Sequence, residues 1–203
     1  VADVIGDRLP LTLLLAFSTL VFMYAVALPI GIYSAVRQYS LTDHTFAAFG
    51  YIGLATPNFL LALILMYLGQ QWFGLSVGGL YSPEFQDAPW SWDKAKDLAE
   101  HLWVPVIVLG TAGTAYLIRT MRAAVLDELD KMYVTAARAG GLSPIRLLLK
   151  YPVRMALNPI VATLGWRLTY VISGAPIVGV VLSLPDTGPL FLHALLNQDM
   201  YLA

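Results

Sequence analysis

The sequence contains no cysteine and few charged residues. Without cysteine, a disulfide framework, a thiolate nucleophile and a Cys-ligated metal are all excluded. Only 12% of the residues are charged, the net charge is -1, and no basic run stands apart from the apolar stretches. Nothing therefore indicates nucleic-acid binding or electrostatic docking to anionic lipid. No Gly-x-x-x-x-Gly-Lys-Ser/Thr segment for ATP phosphates occurs. With 58% hydrophobic residues, the composition is that of a membrane protein.

Long uncharged runs predict an all-α, polytopic transmembrane domain. A helix crosses a bilayer with about 20 apolar residues, and the first run exceeds that length. In the second run, Pro57 and Asn58 predict a kink. The third run is at the short limit and begins beside Trp103, a potential interfacial anchor. We predict a single domain over 1–203, with four spans at about 9–36, 46–73, 102–118 and 155–184.

The distribution of basic residues predicts the orientation of these spans. The loop 74–101 holds Lys94 and Lys96 against five acidic residues, whereas 119–154 holds seven basic residues against three acidic ones. By the positive-inside rule, 119–154 lies in the cytoplasm and 74–101 on the periplasmic side. Val1 then begins outside without a signal sequence, so we expect a chain incomplete at both ends, with flanking spans missing.

The cytoplasmic loop has an unusual centre, made of small residues rather than hydrophilic ones. The segment from Tyr133 to Leu142 has good helix formers and then Gly140-Gly141, which can supply a left-handed C-terminal cap. Ser143-Pro144 predicts a restart, with Ser as N-cap and Pro at the first helical position. We therefore predict a short exposed helix followed by a second helix, along which Arg146, Lys150 and Arg154 share one face.

At this loop the sequence resembles the EAA loop of ABC importer permeases, whose pattern is Glu-Ala-Ala, three residues, then Gly. Here it reads Thr135-Ala136-Ala137-x-x-x-Gly141. The leading Glu is absent, as it commonly is in the dipeptide and oligopeptide branch. Further matches cover most of the chain: Arg8-Leu9-Pro10-x-Thr12-Leu13, Pro29-x-Gly31, Asp43, Pro57-x-Phe59 and Ser183-Leu184-Pro185-x-x-Gly188. The sequence departs from the family at Gly179, where relatives often carry Glu.

The resemblance implies a multi-pass domain of the type I ABC importer permease kind in the bacterial inner membrane. It implies that the loop helix couples the spans to an ATP-binding subunit, through Tyr133, Thr135, Ala136, Ala137, Arg138, Ala139, Gly140, Gly141 and Leu142. The implied partners are a homologous second permease subunit, two cytoplasmic ATP-binding subunits, a periplasmic substrate-binding protein and membrane lipid, with no nucleic acid. We expect no catalytic residue, cofactor or metal in this chain, since ATP and Mg would be bound by the partner subunits.

The transported solute is harder to predict from the sequence than the role of the loop. The branch favours di- or oligopeptides, with nickel chelates or sugars as alternatives. Arg167 falls near the middle of the fourth predicted span, where a charge faces protein or water. It is either a pathway residue, with Asn58 as a second candidate, or a structural partner of a carbonyl or an acid. An ion-coupled secondary transporter is a weaker alternative, because no carboxylate lies within a predicted span.

Overall fold

The structure, a computed structural model, describes residues 2–73, 78–86, 88–199 and 201. Within them the chain is helical, without a strand, which confirms the all-α prediction. The helices are α1 (Ala2–Val36), α2 (Leu41–Ala55), α3 (Asn58–Phe73), α4 (Trp92–Leu129), α5 (Met132–Ala139), α6 (Pro144–Lys150), α7 (Pro152–Ala162), α8 (Leu164–Val181) and α9 (Thr187–Leu196). The predicted periplasmic loop 74–101 includes residues 74–77 and 87, which lie outside the described part.

Within the described residues, three helices are long and apolar enough to cross a membrane: Arg8–Val36 of α1, Trp92–Leu129 and Leu164–Val181. The pair α2 and α3 raises the number to four if the two helices form one broken span. The expected kink at Pro57 is thus a full break. Proline lacks the N–H that would continue the helix and pushes the preceding residue toward extended backbone, so α2 ends before Thr56.

Two other predicted spans have different bounds in the structure. The third, 102–118, is the middle of α4, because no glycine or turn sequence interrupts the helix formers on either side of it. The fourth, 155–184, is divided at Thr163 into α7 and α8. There the Thr163 hydroxyl and N–H both donate to the Ile160 carbonyl, at 2.9 and 3.3 Å, and tighten the chain into a turn.

The chain forms two compact units. The first contains Val1–Phe22, Thr56–Gly110 and Leu168–Ala203, and the second contains Met23–Ala55 and Thr111–Arg167. The apolar core of the first unit comprises Leu15, Ala62, Leu80, Leu98, Val104, Val108, Leu109, Ala175, Val178, Leu182 and Leu184. On its loop side, the Asp97 carboxylate accepts hydrogen bonds from the Ser82 N–H and hydroxyl, at 2.8 and 2.6 Å.

Close contacts at glycines hold α1 against α4 in the second unit. A Cβ atom on Gly31 would lie 2.7 Å from the Met121 Cβ, so the helices meet there without room for a side chain. The buried Met23 side chain lies against Gly113 in the same way. Small residues that permit such backbone approach are typical of helix packing in membranes.

Candidate functional site

The short helix α5 is attached to the rest of the second unit along one side only. Val134 is fully buried, and the Tyr133 hydroxyl donates a hydrogen bond to the Glu128 carboxylate at the end of α4. The Tyr133 ring also meets the Tyr151 ring, with 6.1 Å between centroids. Burial, and next the bond to Glu128, raise the pKa of Tyr133 to about 12, so the phenol remains a neutral donor at physiological pH. These contacts fix the orientation of α5.

The opposite side of α5 is exposed and made largely of small residues. Thr135, Ala136 and Ala139 are exposed on the sides of the helix away from the buried Val134, and Ala137 is half-buried. Side chains this small let another backbone approach closely, and Arg138 adds a charge at the end of the helix. The geometry therefore suits α5 to fit into a groove on another protein.

The end of α5 has the backbone that the glycine pair predicted. Gly140 caps the helix, and its N–H donates to the Ala136 carbonyl at 3.0 Å. Gly141 has φ of 80°, in the left-handed region that favours glycine, and its N–H donates to the Arg138 carbonyl at 3.1 Å. No heavy atom lies within 4 Å of the place where a Gly141 side chain would begin. Glycine is needed there for its backbone conformation and not for space.

Beyond the turn, α6 begins as predicted at Ser143-Pro144, although the Ser143 side chain makes no capping bond. One prediction was wrong: Arg154 does not continue the face of Arg146 and Lys150, because the chain turns at Tyr151 and Arg154 lies in α7. Under the turn, a groove of 310 Å³ is lined by Val36, Leu129, Arg138, Leu142, Pro144, Leu147 and Leu148.

Two exposed apolar side chains beside α5 were missed in the sequence. Met132 is 86% exposed and Ile145 is 73% exposed. Large apolar groups at the edges of a small-residue face are typical anchors in protein interfaces. Met132 directly precedes the predicted segment from Tyr133 to Leu142, and Ile145 is the third residue after it, so both positions could have been found from the sequence.

The two predicted pathway residues lie in different units and are described separately. Asn58 is the first residue of α3, directly after the break at Pro57, and is half-buried. Arg167 lies in the first turn of α8 rather than in the middle of a continuous span, because of the turn at Thr163. Its guanidinium lies over the Tyr116 ring, with Cζ 4.7 Å from the centroid, and its Nε is buried without a hydrogen-bond partner.

Residues 27–203 match the family described as the binding-protein-dependent transport system inner membrane component. The chain belongs to this family. Both the helical fold and the apolar helices agree with that membership, and the chain is an integral membrane protein.

Similar proteins are transport permeases by name, and two of the three below are named for peptides. The chain is 33% identical to the oligopeptide transport system permease protein AppB of Bacillus subtilis (strain 168), over 98% of the chain and 61% of the relative. It is 30% identical to the dipeptide transport system permease protein DppB of Escherichia coli (strain K12), over 95% and 61%. It is also 33% identical to the inner membrane ABC transporter permease protein YejB of Escherichia coli O157:H7, over 98% and 56%. This membrane component thus spans about 60% of the length of these relatives.

Gly179 of α8 lies against the residue that caps the next helix. The Asp186 carboxylate occupies the space beside Gly179, where a Cβ would lie 2.6 Å from Oδ1. Asp186 is fully buried, caps α9 by accepting a bond from the Gly188 N–H at 3.0 Å, and has no partner for Oδ2. Burial raises the pKa of this carboxyl. Arg8 donates to the Asp186 backbone carbonyl at 3.3 Å, which ties the start of α1 to this corner.

No group of three or more His, Cys, Asp or Glu side chains that could hold a metal ion occurs within the described ranges. Among the described residues, the Asp186 side chain instead caps α9, and Asp43 of α2 pairs with Arg122 of α4.

Proposed function

We propose that this chain is the membrane-spanning permease subunit of an ATP-driven importer that receives its solute from a binding protein. The observation that carries the proposal is the small-residue face of α5, fixed to α4 by Tyr133 and Val134 and ended by a glycine in the left-handed conformation. The family and the names of the relatives support it.

In this proposal α5 is the coupling element. Its exposed face enters a groove on a cytoplasmic ATP-binding subunit, two of which hold ATP and Mg and hydrolyse the nucleotide. Because Tyr133 and Val134 fix α5 to the end of α4, displacement of α5 during closure of the ATPase dimer also displaces α4. Rigid-body motion of packed helices of this kind is how alternating access is produced. A homologous permease subunit completes the pathway in the bacterial inner membrane, and this chain supplies no catalytic residue.

We propose di- or oligopeptides as the solute, because the similar proteins AppB and DppB are named for oligopeptide and dipeptide transport. Arg167 and Asn58 are the proposed pathway residues in the described spans. Uptake of a labelled dipeptide by the complete importer, with nickel chelates and sugars as competitors, tests this part. If the importer takes up a nickel chelate or a sugar and does not take up the dipeptide, that solute replaces the peptide in the proposal.

The coupling role is tested with paired glycine variants in the full-length importer. Gly141→Ala adds little volume but disfavours the left-handed backbone, by roughly 1–2 kcal/mol. We expect it to lower transport and to leave ATP hydrolysis uncoupled, while the subunits still assemble. Gly141→Asn is the matched control, because asparagine tolerates this conformation and should retain most of the transport.

Gly140→Ala is a second control, since φ of Gly140 is -71°, which alanine adopts readily. Equal transport by Gly141→Ala and Gly140→Ala would refute the role of the turn. If the full-length protein never retains an ATP-binding subunit on purification, the proposed function itself is refuted.

A further inference from the structure

Two arginines of the second unit are stacked on two tyrosines. The Arg167 Cζ lies 4.7 Å from the centroid of the Tyr116 ring, and the Arg119 Cζ lies 5.5 Å from the centroid of the Tyr51 ring. Tyr116 and Arg119 are three residues apart in α4 and therefore share a face of that helix. Tyr51, Tyr116, Arg119 and Arg167, from α2, α4 and α8, are called the Arg-Tyr strip below.

The strip carries two positive charges that no carboxylate in the described part of the chain neutralises. The arginine ion pair found there is that of Arg122, which donates from Nε and Nη2 to the two oxygens of Asp43, at 3.0 and 2.9 Å. Arg119 and Arg167 instead make cation–π contacts, and the Arg167 Nε is buried without an acceptor. A guanidinium stacked on a ring keeps its in-plane N–H groups available for a planar anion.

An open cleft borders three of the four strip residues, and Arg167 lies outside its lining. Its volume is 820 Å³, within the size range of small-molecule sites, and Tyr51, Tyr116 and Arg119 line it. The other ionisable side chains that line it are Tyr39, Asp43, His44, Arg122 and Asp127. Since Asp43 and Arg122 neutralise each other, Arg119 and Asp127 are the other charged residues of the lining, and no ion pair joins them in the described part of the chain.

The rings of the strip are open to their surroundings, with Tyr51 58% and Tyr116 55% exposed. An arginine on a membrane helix is costly in hydrocarbon and faces protein or a water-filled cavity. A surface with two unpaired guanidinium groups, two phenol rings and an adjoining cleft therefore has the chemistry of a wet pathway that accepts an anionic group, rather than that of a lipid-facing side.

We propose that the Arg-Tyr strip is a carboxylate subsite of the translocation pathway, which holds the C-terminal carboxylate of the peptide while the tyrosine rings contact its side chains. This inference rests on the proposed peptide transport. Arg119 and Arg167 are the binding residues, and each donates from the guanidinium plane. Arg122 is not available for this role, because both of its bonds go to Asp43.

The test compares a labelled tripeptide with its C-terminal amide in proteoliposomes that contain the complete importer. Arg119→Gln and Arg167→Gln should each lower uptake of the free acid about tenfold, the effect of one lost charge-assisted bond, and change uptake of the amide by less than about twofold. The binding protein is identical in every comparison, so its own preference cancels. Arg37→Gln is the matched control: it removes the same charge from an exposed position away from the strip, and should alter neither uptake.

Arg167→Lys keeps the charge without the planar fork, and should retain part of the preference for the free acid. Equal proportional losses for acid and amide in the Gln variants would overturn the subsite and indicate a structural or lipid-binding role. Uptake of both peptides at the unmodified level would overturn it as well. If the unmodified importer takes up neither peptide, the proposed peptide transport fails, and the inference fails with it.

Discussion

Gly31→Ala tests the packing of α1 against α4, on which the second unit depends. The new Cβ would lie 2.7 Å from the Met121 Cβ, 3.1 Å from the Met121 Cγ and 3.0 Å from the Ile118 carbonyl oxygen. Two of these neighbours are a backbone atom and the first atom of a side chain. Neither can move without its helix.

The expected loss of stability follows from the steric overlap between the new Cβ and these atoms. Carbon atoms pack about 3.5–4.0 Å apart, so the helices must separate by about 1 Å at this point. Overpacking of this kind costs about 1–3 kcal/mol in well-packed interiors. For a chain of this size, the corresponding decrease in unfolding temperature is roughly 2–4 °C for each kcal/mol. We expect Gly31→Ala to unfold about 2–12 °C below the unmodified protein.

The measurement is thermal unfolding of the full-length protein in detergent, followed by circular dichroism. Gly50→Ala is the control on α2: its Cβ would lie 3.7 Å from the Ala115 Cβ, an ordinary contact, and alanine favours a helix by about 1 kcal/mol over glycine. It should leave stability unchanged or raise it. In a double-mutant cycle, Gly31→Ala should cost less stability in a Met121→Gly background than in the unmodified protein, because the Cβ that collides is then absent. If Gly31→Ala and Gly50→Ala unfold at the same temperature, the packing argument is refuted.

Three further perturbations address single contacts. Asp43→Asn should lower the free energy of unfolding by about 2 kcal/mol, because the Arg122 guanidinium keeps its charge but loses the carboxylate that neutralises it. An unchanged denaturation curve would contradict this. Asp186→Asn should remove a pH dependence: because burial raises the pKa of this carboxyl, the unmodified protein becomes less stable as pH rises from the ordinary carboxyl pKa through the raised one. Unfolding temperatures measured from the ordinary carboxyl pKa of 3.8 up to pH 8 should therefore vary less in the variant, and equal variation in both proteins would refute the reasoning. The Lys94 Nζ donates to the Ala88 carbonyl at 2.6 Å and lies over the Tyr81 ring. Because Lys94→Met removes both contacts, it should speed amide hydrogen exchange in residues 80–86 and 88–90. Unchanged exchange there would show that these contacts do not hold the segment.

The features of the coupling loop were predictable because they are local. The propensity of the alanine-rich segment predicts α5, and the glycine pair predicts its end, since the backbone at Gly141 adopts a conformation that other residues avoid. The membrane character of the chain was equally accessible, because uncharged length alone decides whether a helix can cross a bilayer.

The bounds of the spans were less predictable. Pro57 indicates a disturbance, but the sequence does not distinguish a kink from a break, which depends on whether neighbouring groups satisfy the freed backbone. At the turn before α8, the Ile160 carbonyl accepts bonds from Thr163 and, at 3.4 Å, from the Tyr24 hydroxyl of α1. No local pattern around Thr163 contains Tyr24, which lies far away in the chain.

The sequence by itself determined that this protein is an all-helical membrane component and where the short helix α5 stops. Only the tertiary structure decided that the Asp186 carboxylate fills the space beside Gly179, and that Tyr51, Tyr116, Arg119 and Arg167 form one strip. The physical reason is the distance along the chain over which each effect acts. Backbone preference and hydrophobic length act along a few turns of chain, whereas the partner of a buried charge is chosen by packing between helices distant in sequence.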